Sequence, residues 1–97
     1  MIDLQITRQH IDEIDSQIVS LFEQRMKEAS EVASYKIATG KPVFDKERED
    51  DKLNRLEKLS HNDFNKRAVR ELFGQIMSIS RKYQYLSLIH ISEPTRP

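Results

Sequence analysis

Between Asp3 and Thr39 the chain has neither glycine nor proline, and its apolar residues return at helical spacing. Leu4, Ile11, Ile14, Ile18, Leu21, Phe22, Ala29, Val32 and Ala33 fall in one stripe when plotted at 100° per residue. The pattern predicts a single helix over 3–39. Asp3 can cap its start, with Thr7 as an alternative, and Gly40 stands at the usual C-cap position. Lys41-Pro42-Val43-Phe44 reads as a short extended connection, since Pro42 turns the residue before it away from helix. Asp45 can cap a second helix over 46–59, whose inner face reads Arg48/Glu49, Lys52/Leu53, Leu56 and Leu59. A polar loop over 60–65 follows. A third helix is expected from Lys66 to at least Tyr85, with the stripe Val69, Leu72, Phe73, Ile76, Met77, Ser80, Tyr83 and Gln84. Residues 1–85 show no strand pattern and no internal repeat. The expected fold class is all-α with three helices, the first very long.

Length makes that first helix a problem for a lone chain. At 1.5 Å per residue it spans ~54 Å, whereas a compact chain of this size has a radius of gyration of ~12–13 Å. The helix must project, and its stripe would then be a large exposed apolar patch. A second copy packed isologously against it removes the exposure, so the expected assembly is a homodimer. A break near Thr7 or Ser34, folding the helix back on itself, is the alternative.

Lys+Arg and Asp+Glu number 16 each. With no net charge, no global field draws the chain to nucleic acid or an anionic membrane. No cysteine is present, which excludes disulfides and cysteine metal sites. No signal peptide opens the chain and no apolar run reaches membrane-spanning length. The expected location is cytoplasmic. His10, His61 and His90 are scattered and read as surface residues. Leu86 to Arg96, LSLIHISEPTR, breaks the helical pattern and resembles the in-frame translation of a transposase adapter used in sequencing libraries. The expected organisation is a domain over 1–85 and a non-native tail over 86–97.

Each stripe turns polar in one region. Arg25 and Lys36 sit near the centre of the first and Arg8 on its margin; Arg48 and Glu49 open the second; Ser80 and Gln84 lie one turn apart in the third. Each has an ordinary explanation. Arg25 can pair with Glu28 or extend to solvent. Arg48 and Glu49 can be a solvated first turn, and Ser80 and Gln84 an interhelical hydrogen bond. Lys36 has no carboxylate three or four residues away. Burying cations without partners is costly, and a bound dianion removes that cost. Several cations, a carboxylate and two neutral polar groups suit a small dicarboxylate carrying a hydroxyl. The set contains no nucleophile with an adjacent base and no metal-ligand spacing.

These residues carry a family resemblance. Arg8 followed by Ile11 and Asp15; Leu21-Phe22-Glu23-Gln24-Arg25; Val32 and Ala33 leading to Lys36; Pro42-Val43 then Asp45, Arg48 and Glu49; and Leu72-Phe73 leading to Ser80 and Gln84 together resemble the all-helical, type II class of chorismate mutases over about Asp3 to Tyr85. The resemblance implies an intertwined homodimer, with Arg8 donated across the interface to the other subunit's site. It implies that Arg25 and that Arg8 bind the two substrate carboxylates, that Lys36 and Gln84 hydrogen-bond the ether oxygen, and that Glu49 with the Asp45 region holds the ring hydroxyl. Arg48 and Ser80 complete the pocket. The implied reaction is the rearrangement of chorismate to prephenate, on the shikimate-pathway branch toward phenylalanine and tyrosine. The chief departure is the tail that directly follows Gln84 and Tyr85.

A concerted rearrangement within one molecule uses no cofactor, metal, proton transfer or covalent intermediate. Positioning the substrate and placing donors where charge grows on the breaking C–O bond remain for the protein. Two rivals stand beside this reading. One is an isochorismate–pyruvate lyase of the same fold. The other is a catalytically silent helical dimer that regulates or docks onto another enzyme of the pathway. A nucleic-acid module fits least, because no aromatic residues interleave a basic run.

Overall fold

A computed structural model of the chain describes the backbone of residues 1–92 and the side chains of residues 1–86. Three helices follow in order: α1 (Leu4–Thr39), α2 (Lys46–Glu57) and α3 (Asp63–Ser92). Among the described residues there is no strand, and no helix is long and apolar enough to cross a membrane.

Local chemistry sets both ends of α1. The Asp3 carboxylate accepts from the Gln5 and Ile6 amides at 3.0 and 3.3 Å, satisfying donors that a helix start leaves open; Thr7 lies inside the helix. At the far end Gly40 takes φ 74°, ψ 15°. Its N–H donates to Ile37 at 3.3 Å, and that of Lys41 to Lys36 at 2.8 Å. This is a Schellman closure, and it needs a left-handed residue at Gly40. No break occurs at Thr7 or Ser34: α1 is continuous over 36 residues.

The Asp45 side chain caps α2 by accepting from the Arg48 amide at 3.1 Å. The helix ends at Glu57, earlier than the 46–59 expected. Leu59 donates to Leu56 at 3.0 Å and Ser60 to Glu57 at 3.3 Å, a tightened three-residue turn that swings Leu59 off the inner face. Leu59 is 72% exposed, so its assignment to that face is corrected.

Asp63, rather than Lys66, begins α3. Asn62 caps it, its side-chain oxygen accepting from the Asn65 amide at 2.7 Å, and the acidic Asp63 suits the positive end of the helix dipole. The helix also continues past Tyr85 to Ser92, where the apolar pattern had suggested a break. Nothing between Leu86 and Ser92 is a glycine or proline, and an established helix propagates cheaply. Residues 93–97 of the expected tail lie outside the described residues.

Among the described residues α3 packs against both α1 and α2, which do not pack against each other. Arg70 ties α3 to the end of α2 through Asn54 at 2.9 Å and Glu57 at 3.1 Å. The buried residues are few: Ala33 on α1, Met77 and Ser80 on α3. The first half of α1 stands clear, with Ile14 54% and Leu21 63% exposed. The molecule is accordingly drawn out, with a radius of gyration of 17.6 Å and a long dimension of 60 Å.

The two glycines should respond oppositely to alanine. Neither would bring a Cβ within 4 Å of another atom, but only Gly40 has positive φ. Gly40→Ala should lower unfolding free energy by about 1 kcal/mol through left-handed strain. Gly74→Ala, within α3, should raise it by about 0.5–1 kcal/mol. Urea melts of both variants check the signs.

Candidate active site

One face of the C-terminal half of α1 carries Arg25, Ala29, Val32 and Lys36 at three- and four-residue steps, so these side chains stand in a row. The row faces α3 and the start of α2. Between them lies an open cleft of about 250 Å³, walled also by Val43 and Asp45 of the connection. Arg25 and Lys36, eleven residues apart, are ~16 Å apart along the helix axis and mark its two ends.

Each polar side chain on this row is held by the fold. Arg25 is half-buried and donates from Nη1 to Ser80 Oγ at 3.3 Å. Ser80, only 6% exposed, donates in turn to the Ile76 carbonyl at 2.9 Å. Gln84 Nε2 donates to the Ala29 carbonyl at 3.0 Å. Lys36 Nζ donates to the Val43 carbonyl at 3.2 Å, drawing the connection over the end of α1. Asp45 is engaged as the α2 cap, and Arg48 is exposed as the third residue of that helix. Glu49 forms an ion pair with Arg81 of α3.

The structure therefore gathers Arg25, Lys36, Asp45, Arg48, Glu49, Ser80 and Gln84 around one cleft. Arg8 is not among them. It is exposed on the free half of α1, more than four turns before Arg25. Of the ordinary explanations, the interhelical one describes Ser80 and Gln84 correctly, since both bond across to α1. Arg25 is not paired with Glu28: among the described residues its polar partner is the Ser80 hydroxyl. His10 and His61 are exposed, and the side chain of His90 lies outside the described residues.

Sequence reasoning missed Arg81. It lies 100° from Ser80 and reads as solvent-facing by the apolar stripe alone. Its spacing was the available signal: Met77, Arg81 and Gln84 follow at four and three residues and share a face. Lys52 and Glu28 also reach the cleft. Five cationic side chains (Arg25, Lys36, Arg48, Lys52 and Arg81) then meet three carboxylates (Glu28, Asp45 and Glu49). A chain with no net charge thus concentrates an excess of two positive charges at one site. Such a site favours a small dianion, and the amide of Gln84 and the ammonium of Lys36 supply neutral and charged donors to it. Among the described residues no cluster of three or more histidine or acidic side chains could hold a metal ion.

Comparison with curated proteins finds no match. The family model for chorismate mutase type II matches residues 7–85, a segment that contains every residue of the cleft. The chain belongs to the chorismate mutase type II family.

Proposed function

We propose that this cleft binds chorismate and rearranges it to prephenate. The observation that carries the reading is the excess of two positive charges around a small cleft on an otherwise apolar helix face. Chorismate is a dicarboxylate with a ring hydroxyl and an ether oxygen, and the cleft holds a group suited to each. Arg25, steadied by Ser80, takes one carboxylate. Arg48 adds positive potential. Glu49 and Asp45 accept from the hydroxyl. Lys36 and Gln84 donate to the ether oxygen: each has one hydrogen committed to a backbone carbonyl, which fixes the group and leaves further hydrogens free.

In the reaction the ether C–O bond breaks as a C–C bond forms, within one cyclic movement of electrons. Negative charge rises on the departing oxygen. Fixed donors there lower the barrier because they need no reorganisation. The walls hold the enolpyruvyl arm over the ring, which accounts for the positioning part.

The active unit is a homodimer over 1–85, with 86–97 a non-native tail. A lone chain leaves the first half of α1 bare, and a second copy would cover that stripe. It would also bring Arg8 of the partner subunit to the second carboxylate.

Purified protein should consume chorismate and form prephenate, and Lys36→Ala should lose about 10²–10³ in kcat, the usual cost of one preorganised donor, while staying folded. A folded Lys36→Ala with near-normal kcat refutes the assignment, and pyruvate released from isochorismate in preference to prephenate formation points to the lyase. Mixing Arg8→Ala and Arg25→Ala protomers should restore activity, since one site in the mixed dimer receives both arginines. No recovery after verified subunit exchange counts against a shared site.

A further inference from the structure

A carboxylate in a cleft built for a dianion needs an explanation. Glu49 points into the cleft wall with its side chain 26% exposed, where its charge would repel a doubly negative ligand. Arg81 answers it. From α3 it donates through Nη1 to Glu49 Oε1, and its guanidinium carbon lies 4.7 Å from the centroid of the Phe44 ring. Phe44 immediately precedes Asp45, the α2 cap. One planar cation thus joins α3, the first turn of α2 and the connection, stacking on a ring while bonding a carboxylate, a combination suited to arginine.

We propose that Arg81 is a positioning residue for substrate binding: it cancels the Glu49 charge and holds that carboxylate with Oε2 left as acceptor for the substrate hydroxyl. This rests on the reading of the cleft as a chorismate site. Arg81 acts through Glu49 and takes no part in the bond changes. Its loss should weaken the bound ground state and transition state alike, which raises KM and leaves kcat nearly unchanged.

Steady-state kinetics on Arg81→Leu, Arg81→Lys, Glu49→Gln and Glu49→Gln/Arg81→Leu test this. Arg81→Leu should raise KM about tenfold, the lower end for a hydrogen bond to a charged group, with kcat within about threefold. Arg81→Lys, which keeps the neutralising charge, should recover most of the loss. In the Glu49→Gln background, removing Arg81 should add less than about twofold, because the two act as one unit. If Arg81→Leu fails to fold by circular dichroism, Arg81→Gln carries the same comparison. An unchanged KM in the folded variant, a loss confined to kcat, or an equal loss with and without Glu49 overturns the proposal. Wild-type protein that does not turn over chorismate overturns the functional reading on which it rests, a result readily told apart from an active enzyme indifferent to Arg81.

Discussion

A cation on the inward face of a helix is unfavourable unless its surroundings compensate. α1 carries two of them, Arg25 and Lys36, and the fold around them supplies neutral oxygens: the Ser80 hydroxyl and the Val43 carbonyl. These satisfy hydrogen-bonding geometry without cancelling charge. Of the carboxylates that line the cleft, Glu49 is occupied by Arg81. The cleft keeps an excess of positive charge, which under the proposed function a doubly negative ligand would balance. The same bonds shape the site. Ser80 and Gln84 fix α3 against α1, and Lys36 fixes the connection that leads into α2. Stability and ligand binding draw on one set of contacts, so variants here require folding checks beside kinetics.

Apolar packing contributes little within a single chain. Ala33 and Met77 are the buried hydrophobic residues among those described, and the first half of α1 keeps its apolar stripe exposed. A domain normally stabilises itself by covering apolar surface, and the exposed stripe of α1 leaves such surface uncovered. Under the function proposed above, pairing of two chains along that stripe would serve folding and bring Arg8 of the partner subunit to the cleft, and assembly and activity would then be linked.

What could be read from the sequence followed the range of the interactions. Both ends of α1 and the cap of α2 were legible, because Asp3, Gly40 and Asp45 act on their immediate neighbours. The gathering of Arg25, Lys36, Ser80 and Gln84 at one cleft was legible from helical phase. Leu59 was misplaced because phase assumes a uniform helix, and the last turn of α2 tightens. The start of α3 was set late because Asn62 and Asp63 read equally as turn formers and as a cap. Arg81 was missed because its partners, Glu49 and Phe44, lie on other elements, and no local pattern reports a contact across a cleft. Arg8 stays exposed on the free half of α1, away from the cleft of its own chain.

The central claim is that the cationic seam exists to hold a dianion. It is tested most directly by titrating isotope-labelled protein with prephenate, the product and itself a dicarboxylate, while following the nitrogen resonances of the Arg25 guanidinium and the Gln84 side-chain amide. The account predicts saturable shifts at both, abolished together by Lys36→Ala in a folded protein. Shifts confined to residues outside the cleft, or none at concentrations that saturate turnover, would contradict it.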